Sequence, residues 1–254
     1  MRILKILCVV VFVFLFVTGC FIDDDGLSGT VKEEKTLTFE GIDSLRLGNV
    51  TGSIEISGWD RDQVEVRYRK KAANESLLKR LRVETRQDGR ALDIETEFPR
   101  RCRRCGISFK VSVPRSMKKL NLKTVTGSVE IRGMDHVDRV AARTVTGSVK
   151  AFLSCGDCDL KSVTGGIRAE FEKIDDNGGI SASLTTGSVT LVLPRDFPGT
   201  VGLKTVTGSV HTDFPITTTG RLRRNRIEGS IGEGDRRVRA STVTGSIHLK
   251  QRPS

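Results

Sequence analysis

Four cysteines form the one constellation in this chain whose types and spacing could do chemistry: Cys102-Arg103-Arg104-Cys105 and Cys155-Gly156-Asp157-Cys158. Two Cys-x-x-Cys pairs can supply four thiolates to zinc. They can also close as disulfides, for which four cysteines allow three connectivities, or act as a dithiol whose thiolates Arg101, Arg103 and Arg104 would stabilise. Other chemistries lack their residues. The histidines, His136, His211 and His248, stand in no His-Glu-x-x-His pattern, and there is no Gly-x-Ser-x-Gly elbow or Gly-x-x-x-x-Gly-Lys phosphate loop. Asp157, Asp159, Asp175 and Asp176 are expected in loops between strands and lack a calcium spacing.

The elements that must position these residues come from a repeat. Val-Thr-Gly-Ser or a close variant centres on Gly52, Gly127, Gly147, Gly165, Gly187, Gly208, Gly229 and Gly245, and from Gly127 onward the copies fall 16 to 22 residues apart. Before each glycine apolar and small residues alternate, as in Leu120, Leu122, Thr124, Thr126 or Val201, Leu203, Thr205, Thr207. A second alternating pair follows, as in Val129 and Ile131. Such alternation marks strands with one buried face. Thr126 and Val129 are an odd number of residues apart, so a bulge or corner is expected at Gly-Ser. A period near twenty made of strand-formers predicts an all-β, single-chain β-solenoid of β-helix type. Six coils at about 4.8 Å each would stand about 29 Å tall. Hydroxyls recurring on every coil imply bonding between coils rather than a nucleophile, which needs one base beside it.

An N-terminal strand and hairpin region precedes the regular coils. Val64 to Tyr68 and Leu81 to Thr85 read as strands, Asp88-Gly89 as a hairpin turn into Leu92 to Thr96, and Asn74 to Leu81 as a short helix opened by Asn-Glu-Ser. Val111-Ser112-Val113-Pro114-Arg115 and Leu191-Val192-Leu193-Pro194-Arg195 each lead into a repeat. Residues 36–250 contain no linker and form one domain, preceded by an acidic tether over 20–35.

The first residues give the address. A basic start, an apolar run from Ile6 to Val17 and then Val17-Thr18-Gly19-Cys20 resemble the leader and lipobox of bacterial lipoproteins. The resemblance implies a signal peptide over 1–19, cleavage between Gly19 and Cys20, and a lipid on Cys20. Phe21 stands where Asp would favour inner-membrane retention, so an outer-membrane destination is expected in a two-membrane cell. The pattern of residues 48–60, Gly-Asn-Val-Thr-Gly-Ser-Ile-Glu-Ile-Ser-Gly-Trp-Asp, followed by Val64-Glu65-Val66 and serial Thr-Val-Thr-Gly-Ser-Val units, resembles the bacterial "putative adhesin" domain of unknown function. This resemblance spans most of 36–250. It implies a β-solenoid in the cell envelope and brings no catalytic residues, so no enzymatic activity, cofactor or metal is expected. In that oxidising setting, disulfides among Cys102, Cys105, Cys155 and Cys158 are the expectation over zinc or a reactive dithiol.

Charge bears on partners. The chain carries a formal net charge of +11, concentrated at Arg100, Arg101, Arg103 and Arg104, at Arg221, Arg223, Arg224 and Arg226, and at Arg236, Arg237 and Arg239. The second cluster is the candidate polyanion site, for anionic polysaccharide or lipid head groups, with an envelope protein as the other class of partner. The bland role for such arginines is to protect strand edges. An exported address and a single Trp and Tyr argue against nucleic acid. The reading is therefore a lipid-anchored envelope protein of adhesin-like or scaffold type, its oligomeric state open. The alternatives are a polysaccharide-active enzyme and an accessory or sensor protein of an envelope-stress pathway.

Overall fold

The computed structural model describes residues 30–100, 102, 104–218 and 223–253. In chain order the elements are β1 (Val31–Glu40), β2 (Ser44–Thr51), β3 (Ile54–Trp59), β4 (Gln63–Ala72), α1 (Glu75–Arg80), β5 (Arg82–Asp88), β6 (Ala91–Glu97), β7 (Gly106–Pro114), β8 (Lys119–Thr126), β9 (Val129–Thr146), β10 (Val149–Thr164), β11 (Ile167–Thr186), β12 (Val189–Leu193), β13 (Gly199–Thr207), β14 (Val210–Thr212), β15 (Thr217–Thr218), β16 (Arg226–Ile231), β17 (Arg236–Thr244) and β18 (Ile247–Gln251). They form a β-solenoid in which each coil is a strand before a Gly-Ser corner and a strand after it. Strands before the corner pair in the order β5, β6, β2, β8, then the second halves of β9, β10 and β11, then β17, β13, β16. Strands after it run β1, β4, β7, β3, the first halves of β9, β10 and β11, then β12, β18, β14.

The corner glycines explain why the motif repeats. Gly52, Gly127, Gly147, Gly165, Gly187, Gly208 and Gly245 have φ between 129° and 149°, a region that side chains disfavour. A Cβ on Gly147 would overlap the Gly127 carbonyl oxygen, and the same overlap recurs at each corner against its neighbour. Three residues before the glycine, an inward hydroxyl ties the coils together: Thr144 Oγ1 donates to the Gly127 carbonyl at 2.9 Å, Ser162 to Gly147 at 3.0 Å, and Thr205 to Gly245 at 2.9 Å. Asn49 serves the first corner, donating to the Ile107 carbonyl at 2.7 Å. Further inward lie two apolar columns, Leu120-Val140-Cys158-Ile180-Val238 and Leu122-Ala142-Leu160-Ala182-Ala240, all buried.

Several expectations hold. Asn74 caps α1 by accepting from Leu77 N at 2.9 Å, β5 and β6 form the hairpin at Gly89, and Pro114 and Pro194 each accept a turn hydrogen bond, from Met117 and Phe197. Others are corrected. The threonine immediately before the glycine is exposed, because the strand breaks parity at the corner; the outward residue beside it is a valine, so Val125, Val145, Val163, Val206 and Val243 form an exposed column, 40% to 62% accessible. Asp157, Asp159, Asp175 and Asp176 lie within β10 and β11, not in loops. Residues 31–35, expected in the tether, are strand. Their acidic side chains complement basic β4, with Glu34 on Arg69 and Glu33 on Lys70, so a composition that resembles a linker becomes a cross-strand match.

Coil order also departs from chain order. The coil at Gly245 sits between those at Gly187 and Gly208, and the coil at Gly52 sits between the β6–β7 segment and the coil at Gly127. The Gly229 copy makes no corner: β16 runs antiparallel to β13 and caps the stack. Its residue three before the glycine is Arg226, whose charged head does not enter an inward site.

These contacts rank three substitutions. Gly147→Ala is expected to lose folding outright or nearly so. Thr144→Val, which keeps shape and removes the donor, should cost about 1–3 kcal/mol, and Ser148→Ala no more than about 0.5 kcal/mol. Thermal denaturation by circular dichroism reads the order, and equal melting temperatures for Gly147→Ala and Ser148→Ala would contradict the close approach at the corner.

Candidate functional site

Outward positions of the strands before the corner are free of the core's demands, and alternation fixes which residues take them. On β9 these are Arg139, Ala141 and Arg143; on β10, Asp157, Asp159 and Lys161; on β11, Gly179 and Ser181; on β17, Arg237 and Arg239. Register aligns them in two rows, Arg139–Asp157–Gly179–Arg237 and Ala141–Asp159–Ser181–Arg239. Because Gly179 and Ser181 are small, the middle of both rows is a trough of about 380 Å³ lined by these residues.

The two walls differ in sign. On one side Asp157 holds Arg139 at 3.4 Å, and Asp159 holds Arg143 and Lys161, each at 2.9 Å. Partial burial works against the charge on Asp159, but hydrogen bonds from Arg143 and Lys161 outweigh it and keep its carboxyl below the ordinary range. On the other side Arg237 and Arg239 are exposed and have no carboxylate within ion-pair distance among the described residues. Lys204 and Arg226 continue this face, paired across β13 and β16. Four arginines against two aspartates make the trough a cationic site able to take carboxylate, sulfate or phosphate groups.

The predicted residues fall in several places. Arg223 and Arg224 are exposed at the turn before β16, and Arg226 pairs with Glu228 at 2.7 Å. Arg221, Gly19, Cys20, Arg101 and Arg103 lie outside the described residues. Arg236 is structural: it donates to the Ile174 carbonyl at 3.0 Å and pairs with Asp176. Cys102 and Cys105 form a disulfide before β7. Cys155 and Cys158 are buried free thiols where β10 bulges. The two pairs sit at different levels of the stack, Cys158 lying four strands from β6 along the column through Leu92, Leu45, Leu120 and Val140, about 19 Å away. One four-thiolate zinc site is therefore not assembled. The hydrogen bond with Cys155, and burial, push the Cys158 thiol well above its ordinary value, which suits an inert core pair rather than a reactive one. Arg237 and Arg239 were visible in the sequence as a basic cluster, but their place in the trough was not, because β17 follows β11 in space but not in the chain.

The Toastrack DUF4097 signature matches residues 107–250. No curated protein matches the chain in sequence. Among solved structures, a "putative cell adhesion protein" from Clostridium sporogenes ATCC 15579 shares 13% identity, covering 87% of this chain and 100% of that one, with a TM-score of 0.54. A "putative adhesin" from Bacteroides fragilis NCTC 9343 shares 10% identity over 86% of this chain and 96% of that one, with a TM-score of 0.35. The first likeness is one of fold.

Asp159 gives the site a pH signature. Its depressed carboxyl contributes stability above about pH 4, the unfolded value, and loses it as pH falls through the folded value. The melting-temperature gap between the wild type and Asp159→Asn is therefore expected to be largest near neutrality and to close as acidification passes below the ordinary carboxylate range. A gap that stays constant across that range would show that Asp159 is not held by Arg143 and Lys161.

Proposed function

Because the chain belongs to the Toastrack DUF4097 family, whose stacked corners serve architecture and leave the outward faces free, we propose that it is a lipid-anchored cell-envelope protein. It acts by adhesin-like or scaffold binding of anionic polymers. The observation that carries this reading is the trough, with Arg237 and Arg239 unpaired along one wall. Arg223 and Arg224 extend the basic surface at the capping turn. The leader ending Val17-Thr18-Gly19-Cys20 supports lipid attachment at Cys20 and an envelope location, with the outer membrane favoured by Phe21 where two membranes exist.

Binding without catalysis is the reading the carboxylates support. Glu170 and Glu172 both engage Arg252, and Asp135 faces Arg115. A typical retaining or inverting glycoside hydrolase needs one carboxyl held protonated near another that is charged, whereas these are arranged as ion pairs.

Two experiments test the proposal. Retention on immobilised polygalacturonate should fall as salt shortens the Debye length from about 10 Å toward 3 Å. At low salt, Arg237→Gln with Arg239→Gln should weaken it about 30-fold, two charges at about 1 kcal/mol each. Arg223→Gln with Arg224→Gln should have the smaller effect. Binding insensitive to both salt and the Arg237/Arg239 pair would end the polyanion reading. Separately, Cys20→Ala should move the protein from the membrane fraction to the soluble one without changing its melting temperature. A wild-type N-terminus that mass spectrometry shows uncleaved and unmodified would remove the anchor.

A further inference from the structure

The strands after the corner present a different outward face, and it holds a second, differently built recess. Register places Ser57, Arg132, Phe152 and Glu170 in one outward column across β3, β9, β10 and β11. Val149, Ala151 and Leu153 of β10 point into the core, so Phe152, half-buried, points out. It forms the aromatic part of a recess of about 370 Å³ whose rim is Arg115, Asp135, Glu170, Glu172 and Arg252.

The rim is held in place by the chain's own turns. Arg115, from the turn after Pro114, donates to Asp60 at 2.8 Å and to the Gly133 carbonyl at 3.0 Å, and stands 3.7 Å from Asp135. Arg252, just beyond β18, donates to Glu172 at 2.8 Å and lies 3.8 Å from Glu170. Its own backbone is fixed, since Arg252 N donates to the Leu193 carbonyl and Arg195 donates to the Arg252 carbonyl at 3.0 Å. Donors and acceptors thus share the rim of one aromatic face, and their charges nearly cancel with a small acidic excess. That charge pattern is the reverse of the arginine trough, so an anionic ligand suited to the trough is disfavoured here. A volume of about 370 Å³ has room for a sugar ring.

We propose that this recess binds a single neutral pyranose ring of a glycan. The C–H face of the ring lies on Phe152, where an aromatic offers apolar area at low entropic cost. Its hydroxyls donate to Asp135 and Glu170 and accept from Arg115 and Arg252, which have the complementary donor and acceptor sets. Carboxylates already paired with arginines are restrained in orientation before the sugar arrives, which limits the cost of ordering them. The site is independent of polyanion binding, because it lies on the other outward face and shares no side chain with the trough.

The test uses the full chain in a non-glycosidic detergent, with methyl glycosides of glucose, galactose, mannose and N-acetylglucosamine as probes and galacturonate as the charged comparison. Saturation-transfer NMR should show at least one neutral glycoside bound with a dissociation constant on the order of 1 mM. The ring protons of its apolar face should receive most of the transfer. Phe152→Ala should weaken that binding at least about tenfold, Glu170→Gln should weaken it, and Phe152→Trp should strengthen it. Arg237→Gln with Arg239→Gln should leave it unchanged. Melting temperatures confirm that each variant is folded, and if Phe152→Ala is not, Glu170→Gln and Phe152→Trp decide. The proposal is overturned if no neutral glycoside binds, if binding survives in the folded Phe152→Ala protein or is unmoved by Glu170→Gln and Phe152→Trp, or if galacturonate competes equally for the recess.

Discussion

Every coil of this protein rests on the approach of one glycine to the carbonyl of the next. With no Cβ, Gly147 lies against the Gly127 carbonyl, and the same contact continues through Gly165, Gly187, Gly245 and Gly208. That carbonyl also receives the inward hydroxyl of the adjoining coil, while the glycine N–H donates to the preceding residue's carbonyl in the neighbour, as Gly147 N does to Thr164 at 2.9 Å. Buried backbone at a sharp turn would otherwise leave polar groups unpaired at a cost of about 1–3 kcal/mol each. The motif answers all of this locally, which is why Thr or Ser three residues before the glycine recurs almost as often as the glycine. Asn49 takes that position at the first corner and still donates, whereas Leu184 has no donor, and there the ladder of side-chain donors skips a step.

Because the contact is the same at every corner, it carries no information about which copy comes next. This is the physical reason the coils themselves were legible from sequence while their order was not. Alternation identified the inward residues and the corner glycines. Nothing in Val243-Thr244-Gly245-Ser246 distinguishes a coil that ends the stack from one that enters between Gly187 and Gly208. The Gly229 copy did carry its signal, since Arg224 and Arg226 occupy positions that Leu203 and Thr205 hold inward; with no way to bury them, the segment turns antiparallel and closes the edge of β13. The opposite end is closed by β1, β4 and β5, also antiparallel. Uncovered edges of a parallel stack would recruit other chains.

The outward faces are where the repeat stops dictating residue type, and there the two sides of the coil diverge. The outward residues beside the corner are valines, with Thr185 on β11, so β-branched neighbours in register support the strands. Farther from the corner, one face gathers arginines around Gly179 and Ser181, and the other surrounds Phe152 with balanced pairs. Neither grouping follows from the composition of a single coil. Each needs four or more strands in register, so spacing within the sequence reveals the candidates only once the pairing of β10, β11 and β17 is known. The charged segment at Val31–Lys35 shows the same limit: its function as a strand depends on β4, whose partner residues lie 33 to 41 positions further on, from Lys35↔Tyr68 to Val31↔Ala72.

The insertion of β17 is also what makes the trough cationic. Thr200 pairs with Arg237 and Gly202 with Arg239, while those arginines pair in turn with Gly179 and Ser181. Were β13 to follow β11 directly, the same register would set Thr200 beside Gly179 and Gly202 beside Ser181, and the trough would hold Asp157 and Asp159 with their own partners and neither Arg237 nor Arg239. The coil at Gly245 therefore supplies the arginine wall of the trough as well as filling the stack. It must enter between two strands already synthesised, so the wall exists only when the fold is complete. The placement of Arg237 and Arg239 beside Gly179 and Ser181 and full assembly of that coil are in that sense one event, and the anion binding proposed for this face would stabilise the inserted coil by mass action.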